Sequence, residues 1–434
     1  MRSKRRVLIV GGGPAGMLAA IAAAERSARV TLLERGPKLG RKLRLTGKGR
    51  CNITNTAGVE RFIRAFGPNG RFLYGAFSRF FNEDMVALLN TMGVPAKVER
   101  GGRVFPASDS ALDVANAFER RLLELGVDVR LNSRVKSLII SDDAEIAGAA
   151  LYHGTVDAGA VIIATGGLSY PGTGSTGDGY ELARQAGHTI VPPRAALAPI
   201  LIADRWVGSL KGLTLKNVAV RLMVGSPTVT AAEEFGEMLF THSGVSGPII
   251  LTISRHVPEA SARVSAVIEL DLKPALTADE LHQRMIREFA HPGKLGPYLR
   301  KLMPHALADA LVGVLGLDAS RPLNQVRASD RRIIVNGLKG LRLTVRGLAP
   351  VEEAIVTAGG VALNEVDPRT MMSRKVGGLF FAGEVLDLDA ETGGFNLQAA
   401  FSTGWVAGVA AADLCAPGGL VDREVRNVPS YAHT

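Results

Sequence analysis

The sequence predicts an α/β protein in which both ends of the chain build one Rossmann-like parallel sheet and the middle forms an insertion, part β and part helical. Three observations predict it. The chain opens on a short apolar run, a glycine turn, a helix-forming stretch and a second apolar run. Runs of the same buried-strand kind return at Val161–Ala164 and within Leu379–Glu384. From about Arg194 to Pro350 the apolar residues instead alternate, as in antiparallel strands, or follow helical spacing.

At 434 residues, 47% of them apolar, the chain has material for two or three domains and ample core. Val7–Val10 reads as the first strand, Pro14–Ala24 as a helix and Val30–Leu33 as the second strand. Ala111–Leu125 has helical apolar spacing and leads into a strand at Val127–Leu131. Val161–Ala164 ends in Thr165-Gly166-Gly167, and Asp178 followed by Glu181 resembles a capping box that opens a helix running to about Gly187. Leu197–Ile202, Leu215–Val224 and Val264–Leu272 alternate, whereas Ala278–Leu315 is mostly helical in pattern. Leu379–Glu384 reads as the last core strand and Asn396–Leu414 as a closing helix. The expected domains are 1–193 with 350–434 for the discontinuous sheet, 194–275 with 331–349 for the β-rich insertion, and 276–330 for the helical part.

The 51 Lys and Arg exceed the 41 Asp and Glu by ten. Such an excess suits a polyanion, whether nucleic acid, an acidic surface or a phosphorylated cofactor, and equally a solvated basic surface. Only Cys51 and Cys415 occur, far apart, which fits a reducing cytoplasm. Arg2, Lys4, Arg5 and Arg6 before Val7–Val10 imitate a secretory signal, but Gly11-Gly12-Gly13-Pro14 breaks the apolar run at once. A cytosolic protein is expected.

Gly11-x-Gly13-x-x-Gly16 follows the first strand and opens the first helix. Gly11 serves the tight turn, Gly13 lets backbone approach a pyrophosphate, and Gly16 permits close helix–sheet packing. Pro14 and Ala15 begin the helix, whose free N–H groups and positive dipole end favour the diphosphate. Glu34 ends the second strand about twenty residues on, placed to accept hydrogen bonds from a ribose diol. Two later segments select FAD over a nicotinamide dinucleotide. Ala164-Thr165-Gly166 follows a strand as in many flavoproteins, and Gly383-Glu384 follows another, with the acid set towards the ribityl or pyrophosphate region. Gly393-Gly394-Phe395-Asn396-Leu397-Gln398 then offers a helix start to the edge of the ring that gains negative charge on reduction.

Several segments resemble the HI0933-like flavoproteins, a family also described as BaiN-like or aminoacetone-oxidase-like. They are Gly40-Arg41-Lys42, Thr46-Gly47-Lys48-Gly49-Arg50-Cys51-Asn52-Ile53-Thr54-Asn55, Gly166–Pro171, Thr173–Gly179, Leu239–Pro248 and Gly378–Asp387. The resemblance spans nearly the whole chain. It implies a two-dinucleotide-binding FAD domain with an inserted β-barrel-like domain and a small helical domain. The family's last motif usually reads Gly-Gly-Tyr-Asn-Leu-Gln-Trp-Ala-Trp, and here Phe395, Ala399 and Phe401 replace the tyrosine and both tryptophans. Members are linked to reduction of uridine to dihydrouridine in large-subunit (23S) ribosomal RNA, to C=C reduction on bile-acid-type steroids and to oxidation of aminoacetone.

Between Arg35 and Arg50 lie seven basic residues and no acid. Arg35, Arg41, Lys42 and Arg50, with Gly49 and Asn52, are expected at the cofactor, Arg41 or Lys42 on its diphosphate. The surplus suits an RNA backbone, or else only FAD and solvent. Asp178 is a further expected cofactor contact. Cys51 is a candidate proton donor or a small buried hydrophobe. His242 is a candidate acid or substrate anchor, or a structural histidine. No cluster has metal-ligand spacing, so no metal is expected. The leading expectation is NAD(P)H-dependent reduction of a uridine C=C bond in ribosomal RNA. The alternatives are a small-molecule oxidase or enoate reductase, and a flavin-binding protein without turnover.

Overall fold

The computed structural model describes residues 6–226, 228–258 and 264–416. The chain divides into two compact units, one formed by Met1–Arg194 with Val356–Thr434 and the other by Ala195–Ile355.

The first unit is built on a five-stranded parallel sheet. Its strands are β1 (Arg6–Val10), β2 (Arg29–Leu33), β3 (Asp128–Arg130), β4 (Ala160–Ile163) and β5 (Leu379–Phe381), in the order β5-β4-β1-β2-β3. Register sets Val10 opposite Leu33 and Ile163, and Ile163 opposite Phe381, so four strands end along one edge. Ligands of open α/β sheets bind beyond that carboxyl edge. β4 and β5 are buried throughout, which explains their unbroken apolar runs.

Four helices matter for the site: α1 (Pro14–Glu25), α2 (Ala111–Glu124), α3 (Asp178–Gln185) and α4 (Phe395–Cys415). α1 is buried from Ala15 to Ala23, and its alanines admit close neighbours. α4 crosses it backbone to backbone. A Cβ at Gly404 would lie 2.3 Å from the Ala15 carbonyl oxygen, and one at Gly408 would lie 2.3 Å from that of Ala19. α3 departs from the expected capping box. Its N-cap is Gly177 at φ +81°, a left-handed position that favours glycine, and Asp178 stands inside the first turn.

The second unit holds a closed six-stranded barrel, ordered Ile200–Ile202, Gly244–Ser246, Val229–Phe240, Thr214–Val224, Ala266–Asp271 and Leu341–Leu348. The barrel implied by the family resemblance is therefore present. The Leu197–Ile202 run yields a strand only from Ile200, because Leu197 turns at φ +51°. The helical stretch is three helices, Ala278–Phe289, Leu295–Leu302 and His305–Val314, interrupted near Pro292-Gly293 and Pro304. With Ala328–Lys339 they share one apolar core with the barrel. Among the described residues, no helix is long and apolar enough to cross a membrane.

Candidate functional site

The glycine fingerprint adopts the geometry its spacing implies. Gly11 turns at φ +108° and donates its N–H to the Leu33 carbonyl at 2.8 Å. A Cβ there would lie 2.5 Å from the Ala164 carbonyl oxygen, and one at Gly16 would lie 1.9 Å from the Gly11 carbonyl oxygen. These two glycines are required by the protein's own backbone. Gly13 differs: it is the N-cap of α1, and a Cβ on it would meet nothing within 4 Å. Pro14 follows at the first helical position, where no N–H is needed. The open start of α1 is thus a cradle for an anion.

Glu34 is 8% exposed and holds the cradle from one side. Its Oε2 accepts the Gly12 N–H at 2.8 Å and its Oε1 accepts the Gly36 N–H at 2.6 Å. Each oxygen keeps a lone pair for a ribose hydroxyl. Arg35 pairs with Asp178 at 3.0 Å, and Arg134 joins the same carboxylate at 2.9 Å. Asp178, expected at the cofactor, is therefore engaged by two arginines. Beside Ala164, which is buried, the Thr165 hydroxyl is enclosed and has no hydrogen-bond partner among the described residues. Buried polar groups are rarely left so, and a hydroxyl in this position is open to a partner from a bound ligand.

The basic loop folds back onto the fingerprint, the Gly40 N–H donating to the Gly12 carbonyl at 2.8 Å. Its charge is largely spent inside the protein. Lys42 pairs with Glu384, Nζ to Oε2 at 2.6 Å, and Arg44 pairs with Glu119 at 2.8 Å. Arg50 pairs with Glu99 and Asp109 and lies 4.2 Å over the Phe105 ring. With Arg35, four of the seven cations have acidic partners in this unit, which corrects the expected surplus for RNA. Arg50 in particular is turned to these acids. Arg41 stays beside the cradle, its Nη1 3.3 Å from where a Gly36 Cβ would stand. Gly49 turns at φ +85° with open space around it.

Glu384 is the centre of a network the sequence did not reveal. Besides Lys42 it accepts the Thr357 N–H at 2.8 Å, and the Thr357 and Ser169 hydroxyls stand 2.7 Å apart. The preceding Gly383 N–H donates to the Thr403 hydroxyl oxygen at 3.0 Å, which ties this turn to α4.

The start of α4 is stitched to the 50s loop. Gly394 turns at φ +100°, and a Cβ there would lie 2.3 Å from the Thr54 carbonyl oxygen. The Asn55 amide donates to the Gly393 carbonyl at 3.0 Å, and the Asn52 side chain, with its amide oriented to match the surrounding donors and acceptors, accepts the Gly394 N–H at 3.0 Å. The first intrahelical bond runs from the Gln398 N–H to the Gly394 carbonyl, so the amides of Phe395, Asn396 and Leu397 have no partner within the helix. The side chains are engaged elsewhere. Phe395 packs edge-on against Phe62 at 4.7 Å, Asn396 bonds Ala390 through both its amide atoms, and Gln398 is buried against Ser402. It is the helix's backbone that can meet a ring.

Cys51 does not stand where a proton donor must. It is 0% exposed, and burial pushes its thiol up to about 12, only partly offset by the Thr46 hydroxyl. The other expectation for it, a small buried hydrophobe, matches this placement. His242 is exposed, in the turn of the second unit between Val229–Phe240 and Gly244–Ser246.

Residues 5–410 match the profile of the HI0933-like protein Rossmann domain. The chain belongs to the HI0933-like family. It is 34% identical over 400 residues to the ribosomal RNA dihydrouridine synthase of Escherichia coli, covering 92% of this chain and 96% of that one. It is 31% identical over 417 residues to the 3-dehydro-bile acid delta(4,6)-reductase of Clostridium scindens, covering 94% and 99%. Among solved structures, the 3-ketosteroid delta1-dehydrogenase of Sterolibacterium denitrificans superposes with a TM-score of 0.50 at 14% identity, covering 94% and 99%, a likeness of fold alone. This HI0933-like chain is thus an FAD-dependent oxidoreductase with a Rossmann-like domain. Its open α1 cradle, doubly anchored Glu34 and unpartnered Thr165 hydroxyl fit that cofactor.

Proposed function

We propose that this protein reduces a C=C bond conjugated to a carbonyl, that its substrate is a uridine of large-subunit ribosomal RNA, and that NAD(P)H is the electron donor. The carrying observation is the 34% identity to a ribosomal RNA dihydrouridine synthase across 96% of that protein's length. FAD, when bound, supplies hydride to the carbon β to the carbonyl. The chain's own groups hold it in place. The α1 amides and Arg41 take the diphosphate, Glu34 takes a ribose diol, and Glu384 with Lys42 takes the middle of the molecule. The open amides of α4 favour negative charge at the ring edge facing them. His242, taken from the inserted-domain motif of the family resemblance, is our candidate for the acid or for the anchor of the substrate carbonyl. A uridine reaches such a site only when flipped out or single-stranded.

Mapping dihydrouridine in ribosomal RNA from a deletion strain tests the substrate. Loss of one or more sites is expected, and an unchanged map overturns the RNA reading. The bile-acid reductase relative, matched over 99% of its length, favours a second reading with a steroid-like enone as substrate. Both need the same polarised C=C bond. Turnover of an enone by enzyme that leaves ribosomal RNA unmodified would select it.

A further inference from the structure

The net charge of the chain is not spread evenly. Residues 281–346 carry twelve Lys or Arg against four Asp or Glu, +8 of the +10 of the whole protein. This stretch holds the helices Leu295–Leu302, His305–Val314 and Ala328–Lys339, most of Ala278–Phe289, and the start of Leu341–Leu348. Some of its cations are used within the unit: Arg284 with Glu288, Arg300 with Asp309 and Arg321 with Asp330. Arg287, Lys294, Lys301, Arg327 and Arg332 are all exposed and make no salt bridge among the described residues. The fold joins several of the segments that carry them. Lys294 bridges to Pro322, the Leu295 N–H donates to the Arg321 carbonyl at 3.0 Å, and Ala278–Phe289 packs against Ala328–Lys339. The basic loop of the first unit, by contrast, has four of its seven cations neutralised at close range.

We propose that this helical stretch, through its exposed cations, docks the phosphodiester backbone of the ribosomal RNA substrate. The inference rests on the RNA reading above and gives it a place on the molecule. Phosphate contacts fix register and orientation and carry no sequence information, so a set of exposed, unpaired cations on helices and at helix starts meets the requirement. The scarcity of aromatic residues, 5% of the chain, accords with backbone contact rather than base stacking. Anionic lipid would use the same charges and is tested as the alternative.

The test compares the wild-type holoenzyme with the variant Arg287→Gln/Lys294→Gln/Arg327→Gln/Arg332→Gln. Each is titrated with protein-free large-subunit rRNA from the deletion strain over a range of salt, and flavin bleaching by NAD(P)H is followed in parallel. The variant is expected to lose at least ~10-fold in affinity and to flatten the log–log salt slope by about three, with bleaching unchanged. Undiminished RNA affinity in the variant, with wild-type binding present, overturns the surface and leaves the RNA reading standing. Wild-type enzyme that binds no RNA overturns both. Tighter wild-type binding to phosphatidylglycerol vesicles than to RNA, abolished in the variant, overturns the choice of partner.

Discussion

Replacing Gly13 by aspartate separates ligand space from protein space. Aspartate is a favoured N-cap, and the position has room, so the apo protein should keep its stability or gain a few tenths of a kcal/mol. The new carboxylate faces the proposed diphosphate, and FAD affinity should fall at least ~100-fold, or about 2.7 kcal/mol. Unimpaired FAD binding, followed by fluorescence quenching, would place the diphosphate elsewhere. Cys51 gives a prediction on pH. Its folded thiol ionises only near 12, whereas an unfolded one does so at about 8.5. In that window the unfolded chain gives up a proton that the folded one keeps, so stability is full below about 8.5 and falls by roughly 1.4 kcal/mol per pH unit above it. Urea denaturation at pH 8 and pH 10 should show the wild type losing about 2 kcal/mol more than Cys51→Ala. An equal loss in both would refute the burial argument, while turnover should survive the substitution. His242→Gln should lower kcat by about 100-fold if the imidazole is the acid, without slowing flavin bleaching by NAD(P)H.

The crossing of α1 and α4 gives the prediction at the scale of elements. Glycine to alanine inside a helix ordinarily stabilises by roughly 0.5–1 kcal/mol. At Gly404 and Gly408 the added methyl would strike a backbone oxygen 2.3 Å away, and the sign should reverse. Each substitution should cost about 1–3 kcal/mol in chemical denaturation, and a gain would show that the helices are less tightly set. Elements with a strong local period are legible in the sequence: β1, α1, β2, β4, β5 and α4 all fall where apolar runs and glycines indicate. The strand Val229–Phe240 is not, because half of it is exposed and Glu233, Glu234 and Glu237 obscure its alternation. The start of α3 misleads because Asp178 and Glu181 imitate a cap, while the left-handed turn at Gly177 does the work. In the site, Gly11, Gly13, Gly16 and Glu34 form a local pattern and can be read directly. The pairings of Lys42 with Glu384 and Arg50 with Glu99 join residues distant in sequence, so only the folded chain reveals how little charge the loop leaves free.

At the scale of the whole molecule, the two units divide the work differently from what the basic loop suggests. Cofactor binding belongs to the first unit, whereas the densest block of positive charge, residues 281–346, belongs to the second. Saturating apo protein with FAD to 100 times its Kd should add about 2.7 kcal/mol of stability, read as a rise in the melting transition of the first unit. No shift would contradict binding to the folded sheet. The glycine crossing has one more consequence. Because backbone touches backbone at Gly404 and Gly408, no side chain can swell or shrink to adjust the span between the starts of α1 and α4. The pair therefore works as a fixed gauge of length, and riboflavin or FMN, too short to reach both marks, should be passed over in favour of the full dinucleotide.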